Sequence, residues 1–205
     1  MFPKIVYPFF HPDKVYIKAQ IVALTPEMAD SGIRDSWWNH EDLKGDFGHP
    51  PPIDRHWNWN EMSIEYESLD LPSLKVALVA NNKIEGAAMV STQPVPSCLD
   101  NGEQGLFLEL LFTAPWNRRK LRNDGKPYMV GIGTELLTFA AWLSRQKGFA
   151  GRLLLDSSPD EVGWYLDPKR GLQKLHRNPM LHEGVEYTPM ELPPAAAQSL
   201  LGEWE

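Results

Sequence analysis

The chain has 205 residues and a formal net charge of −7, from 20 Lys and Arg against 27 Asp and Glu. That length fits a single domain over residues 1–205, one that buries roughly 70% of its unfolded surface without staples. The acidic balance excludes broad nucleic-acid binding, which needs a basic face, and the single cysteine, Cys98, excludes an internal disulfide and fits a reducing, cytoplasmic setting.

The N-terminal MFPKIVYPFFHP is apolar in patches but broken by prolines at positions 3, 8 and 12, so it reads as no signal peptide. No apolar run reaches the roughly 20 residues that span a bilayer, so no membrane partner is expected. VYIKAQIVAL (15–24) alternates as a first strand. Thr25 can cap a following helix, with Pro26 at its first position. Residues 36–60 hold four of the eight tryptophans, three of the six histidines and a triple proline, the composition of a loop with aromatic anchors. EMSIEYESL (61–69) is compatible with a second helix. KVALVA (75–80) and IEGAAMVSTQ (84–93) flank an Asn81-Asn82-Lys83 turn and form a hairpin that Pro94-Val95-Pro96 is expected to end.

GLFLELLFTA (105–114) is a nearly continuous apolar run, expected to be buried on both faces and stopped by Pro115. The loop WNRRKLRNDGKPY follows, with a turn at Asp124-Gly125. From Thr134 to Lys147, a stripe of Leu136, Leu137, Ala140, Ala141, Leu143 and Ser144 predicts a helix that Gly148 ends. GRLLLDSS (151–158) is a strand. Ser158-Pro159-Asp160-Glu161 then reads as a capping box opening a short helix that stops before Pro168. VEYTPMEL (185–192) closes the sheet and the Ala-rich tail forms a short helix. The class is mixed α/β.

Gly131-Ile132-Gly133 stands at the mouth of the long helix and admits two readings. The glycines let the backbone approach an anion, which the first helical turn's amides and the helix dipole would hold. Alternatively, they only permit close packing. No Gly-Lys-Ser/Thr follows, and Leu136 replaces the third glycine of a dinucleotide fingerprint. Glu109 is the one charge inside LFLELLFTA: a group with a catalytic task, an inward structural carboxylate, or a strand-end group facing water. Arg118, Arg119, Lys120, Arg122 and Lys126 form the one dense basic cluster, suited to phosphates or simply solvated.

The residues LELLFTAPW…GIGTELLTFAAWLSRQKGFAGRLLLDSS…WYLDPKRGL resemble the acetyl-CoA-binding core of the GCN5-related N-acetyltransferases (GNAT). Gly131 and Gly133 match the glycines of the family signature Gln/Arg-x-x-Gly-x-Gly/Ala, whereas Tyr128 stands where Gln or Arg is usual. The resemblance covers residues 75–192, the acetyl-CoA-binding core, and leaves 1–74 as the acceptor-side part. It implies a mixed, mostly antiparallel central sheet flanked by helices, with central strands splayed to admit the cofactor. It further implies that acetyl-CoA is the cosubstrate, that Val130, Gly131, Ile132, Gly133, Thr134 and Glu135 cradle its pyrophosphate, and that Arg118 and Arg119 reach its phosphates. The backbone amides of Leu111 and Phe112 would polarise the thioester carbonyl. Glu109 would act as general base and Tyr165 as general acid.

An amine acceptor fits this chemistry. A lysine-like amine has a pKa about 3.4 units above pH 7, so presenting it neutral costs roughly 4.6 kcal/mol and calls for a base. The acceptor would be an amine on a small molecule or a protein, and a homodimer is compatible with such folds. Trp37, Trp38, Trp57 and Trp59 either line an acceptor pocket or anchor their loop. His40, Glu41, Asp46, His49, Asp54 and His56 match no zinc spacing, so no metal is expected. Cys98 has no base beside it in the sequence. A binding module on the same scaffold, without turnover, is the alternative.

Overall fold

Asn81 and Asn82, with φ of 49° and 60°, make the tight turn between two neighbouring strands. These strands are β5 (Ser73–Ala80) and β6 (Lys83–Pro96). The computed structural model describes residues 4–6, 8–10, 15–39, 43, 58, 59, 61, 62, 72–182, 184–202 and 204. Most of the tryptophan- and proline-rich stretch and of the expected 61–69 helix lies outside them, including Trp57 and the six histidines and carboxylates weighed as metal ligands.

The other strands are β1 (Lys4–Val6), β2 (Phe9–Phe10), β3 (Val15–Tyr16), β4 (Ala19–Ala23), β7 (Gln104–Thr113), β8 (Met129–Val130), β9 (Leu153–Ser157), β10 (Gln173–Lys174), β11 (Met180–His182) and β12 (Val185–Leu192). The main sheet runs β1-β4-β5-β6-β7-β9-β12-β10, with β11 also on β12, and β7 and β9 are parallel. Helices flank this mixed, mostly antiparallel sheet: a long one, Ile132–Gln146, and shorter ones at Pro26–Met28, Val162–Tyr165 and Pro194–Leu201. No helix among the described residues is long and apolar enough to cross a membrane.

The chain divides into two compact units. The first holds residues 1–88 and 111–136. There β4 pairs antiparallel with β1 and β5, placing Ile21 opposite Leu78, both fully buried. Thr25 caps the Pro26–Met28 turn as expected, its hydroxyl accepting from the Met28 amide at 3.3 Å. The second unit holds 89–110 and 137–205. Its sheet segment pairs β12 antiparallel with β9, and Leu153, Met190 and Leu192 are fully buried there. The helical stripe holds: Leu136, Leu137, Ala140, Ala141, Leu143 and Ser144 are all buried, and Gly148 ends the helix at φ +91°.

Several sequence expectations need correction. Residues 15–24 form two strands of different sheets: Val15–Tyr16 pairs with Phe9–Phe10, a ladder the Ile17 amide extends to the Pro8 carbonyl, whereas Ala19–Ala23 joins the main sheet. Pro94 and Pro96 do not end the hairpin. They lie within β6 at its exposed end, where a missing N–H costs little. Ser158–Glu161 form a turn, with the Glu161 amide on the Ser158 carbonyl, and no side chain caps the four-residue helix. VEYTPMEL is an interior strand, since β10 pairs beyond it. β7 is not buried on both faces: Leu106, Leu108 and Leu110 are buried, whereas Phe107, Glu109 and Leu111 are half-buried.

Candidate functional site

Gly131 turns the chain from β8 into the long helix at φ +96°, a conformation L side chains rarely adopt. A Cβ there would meet nothing within 4 Å, so backbone conformation, not packing, requires this glycine. The helix begins at Ile132, two residues earlier than the sequence suggested. Its first internal bond runs from the Glu135 amide to the Gly131 carbonyl at 2.9 Å, leaving the amides of Ile132, Gly133 and Thr134 ahead of the helical ladder. Amides at a helix start attract anions in general, and Glu135 brings a carboxylate into this same first turn. Val130 is exposed, Ile132 and Gly133 are buried, and Thr134 and Glu135 are half-buried.

A glycine that packing requires lies on β6. A Cβ on Gly86 would stand 2.6 Å from Ile132 Cγ2, 2.9 Å from Leu136 Cδ1 and 3.0 Å from the Phe112 carbonyl. The helix start is therefore seated against this strand. β8, just before the turn, pairs with β2, placing Met129 opposite Phe10. Its Met129 amide also donates to Asn117 Oδ1 at 2.8 Å.

Sequence reading missed the group at the centre of this mount. Glu85 is 1% exposed, and its Oε2 accepts from Trp116 Nε1 and from Asn117 Nδ2, each at 2.7 Å. Burial raises its pKa above the ordinary carboxylate value, while those two donors and Lys83 oppose the shift. The signal was available: Glu85 is the one charge within IEGAAMVS, just as Glu109 is within LFLELLFTA.

The basic cluster divides. Arg118 is half-buried, its Nε and Nη2 donating to the Thr113 carbonyl at 2.8 and 2.6 Å, with the Trp38 and Phe112 rings 5.7 and 5.8 Å away. Arg122 is buried and bonds Asp124, which holds that carboxyl far below the usual carboxylate range. Arg119, Lys120 and Lys126 are exposed. Trp37 and Trp59 are buried; Trp37 Nε1 donates to the Ile84 carbonyl at 2.9 Å, and Trp59 meets Phe112 edge-on. Both anchor. A cleft of about 390 Å³ in the same unit has Ser31, Ser36, Lys83 and Trp116 on its walls. The Lys83 ammonium makes it a poor seat for a protonated amine.

Leu111, Phe112, Arg118, Arg119 and 130–135, expected from the sequence on the cofactor side, all fall in the first unit, whereas Glu109 and Tyr165 fall in the second. The parallel ladder between β7 and β9 covers only Leu106↔Leu153 and Phe107↔Leu154, so the two strands part before Glu109. Alternation along β7 also breaks, with Leu111, Phe112 and Thr113 all half-buried in succession. Moreover, Leu106 donates to the Arg152 carbonyl beside β9, whereas Ala114, eight residues on, donates to Glu85 of β6. In an unbroken strand those amides would point the same way. Tyr165 is buried on its short helix, its ring 4.8 Å from that of Trp164. Burial first, then the Glu161 charge, pushes its phenol pKa up, with Arg170 opposing, so it holds its proton at neutral pH.

No protein-family model matches the chain, and no curated protein matches it in sequence. Solved structures do match. The PaiA N-acetyltransferase of Thermoplasma acidophilum, in complex with coenzyme A, is 17% identical over 84% of this chain and 97% of its own, with a TM-score of 0.50. Mycobacterium smegmatis RimJ, in complex with CoA-disulfide, is 13% identical over 100% and 98%, at 0.53. A Vibrio cholerae spermidine N-acetyltransferase SpeG chimera with hSSAT is 10% identical over 87% and 97%, at 0.53. The fold is that of the GNAT acetyltransferases.

Proposed function

We propose that the protein is an acyl-CoA-dependent N-acyltransferase, moving an acetyl group from acetyl-CoA to a primary amine by direct attack in a ternary complex. The observation that carries this reading is the glycine turn: Gly131 at φ +96°, with open space at its Cα, introducing a 15-residue helix. The fold's likeness to an N-acetyltransferase solved with coenzyme A, and to a RimJ solved with CoA-disulfide, supports the choice of ligand. The amides of Ile132, Gly133 and Thr134 bind the pyrophosphate, supported by Val130, Gly131 and Glu135 backbone, and the exposed Arg119 serves a further phosphate.

In this reading the amine nitrogen attacks the thioester carbonyl, the backbone of Leu111 and Phe112 stabilises the oxyanion, and the carbon–sulfur bond breaks. Glu109 takes the proton the amine loses. Tyr165 gives its proton to the departing thiolate. Glu109 suits a base: it sits on the half-buried face of β7, past the point where the ladder to β9 ends. A cytoplasmic setting belongs to this reading, since a single cysteine fits a reducing compartment.

Calorimetric titration with acetyl-CoA, and with dephospho-CoA beside it, tests the reading. Saturable binding is expected, weaker for dephospho-CoA where Arg119 contributes. No binding up to millimolar ligand would overturn it. An amine screen with wild type and Glu109→Gln then separates an enzyme from a non-catalytic acyl-CoA-binding module: the substitution slows the former and leaves the latter's binding intact.

A further inference from the structure

Asn117 is wired on both sides of its amide. Its Nδ2 donates to Glu85 Oε2 at 2.7 Å and its Oδ1 accepts from the Met129 amide at 2.8 Å. An amide side chain can be turned either way, but a carboxylate only accepts, and Trp116 Nε1 only donates. Glu85 offers Asn117 only acceptors, its Oε2 at 2.7 Å and its backbone carbonyl at 3.3 Å, so Asn117 presents its NH2 group there. Its oxygen then faces the Met129 amide, two residues before Gly131. The backbone follows the same path. Ala114 donates to the Glu85 carbonyl at 2.8 Å, and Tyr128 donates to the Trp116 carbonyl at 3.1 Å.

We infer that Glu85 is a positioning residue for the anion-binding turn at Gly131, acting through the oriented amide of Asn117 on the Met129 N–H. This deepens the acyl-CoA reading and rests on it for the ligand, though not for the relay itself. A carboxylate this buried would otherwise be a costly strand residue. Here it sets the direction of a chain of bonds that ends where the turn begins. Both bonds to its side chain converge on a single oxygen. One well-placed acceptor is therefore what the relay needs, and a full charge is not.

The test compares Asn117→Ala, which cuts the relay, with Glu85→Gln, whose amide oxygen can occupy the Oε2 position. Coenzyme A affinity is measured by calorimetry, and exchange of the Met129 amide by NMR, against Val76 and Leu78 as reference amides of the same unit. In Asn117→Ala, Met129 is expected to exchange faster while Val76 and Leu78 stay protected. The coenzyme A Kd is expected to rise roughly 3- to 10-fold, the scale of one hydrogen bond. Turnover at saturating cofactor stays near wild type, so KM moves and kcat does not. Glu85→Leu, which removes the acceptor, is expected to lose protection and affinity as Asn117→Ala does, and Glu85→Gln to keep both; a Glu85→Leu protein with wild-type Met129 exchange overturns the inference. An Asn117→Ala protein with wild-type affinity overturns the inference, as does wild-type Met129 exchange. Should wild type bind no coenzyme A, the acyl-CoA reading fails, and Met129 exchange alone decides whether the relay holds the turn.

Discussion

Gly86→Ala asks whether the helix start is truly seated on β6. The added Cβ would lie 2.6 Å from Ile132 Cγ2, 2.9 Å from Leu136 Cδ1 and 3.0 Å from the Phe112 carbonyl. Ile132 is β-branched and stiff in a helix, and the carbonyl belongs to the sheet, so neither yields by a simple rotation. Overpacking of this kind costs about 1–3 kcal/mol. Replacing glycine returns roughly 0.4–1 kcal/mol by restricting the unfolded chain. The net loss is about 1–2 kcal/mol, or roughly 2–8 °C in Tm for a chain of this size. Ile132 follows the Gly131 turn directly, so its displacement should weaken coenzyme A binding as well. Thermal unfolding followed by circular dichroism measures the first effect, and calorimetry the second. Gly163→Ala is the control, since a Cβ there would meet nothing within 4 Å, and its Tm should match or exceed wild type. A Gly86→Ala protein as stable as that control would refute the seating argument.

Gly131→Ala meets open space but must hold φ +96°, so it should lose about 1–2 kcal/mol by backbone strain alone and lose coenzyme A affinity in the same titration. Arg152 and Glu191 are 3% and 0% exposed and bond at 2.7 Å, with Ser97 Oγ on the same carboxylate oxygen and the Cys98 amide on the other. Arg152→Ala should therefore cost about 3–5 kcal/mol in denaturant unfolding, because it leaves a buried carboxylate without its cation. Glu85 has a folded pKa raised above its ordinary value, so the folded state holds more protons than the unfolded one between the two. Its contribution is most favourable below the ordinary carboxylate pKa and falls as pH rises through the raised one, and Glu85→Gln should flatten stability over that window. Glu109→Gln should lower kcat by about 10²–10⁴-fold with coenzyme A affinity unchanged, and a variant with wild-type kcat would remove Glu109 from the reaction.

What the sequence determined by itself was what a few neighbouring residues decide. Asn81-Asn82 announces a hairpin because asparagine tolerates positive φ, and Gly131 announces a strand-to-helix turn for the same reason. The spacing of Leu136, Leu137, Ala140 and Ala141 gives the buried face of the long helix because helical period is local. A lone charge in an apolar run marked Glu109, and the same rule would have marked Glu85. Only the tertiary structure decided what such charges meet. Glu85 finds Trp116 and Asn117 more than thirty positions away, and Arg152 finds Glu191 at a similar remove. The basic loop shows the same limit: its composition left phosphate contacts and plain solvation both open, and the fold turns Arg118 to Thr113 and two rings, and Arg122 to Asp124. Whether a guanidinium serves a ligand or its own backbone depends on which carbonyls and carboxylates the fold brings within 3 Å, and residue order alone does not carry that distance.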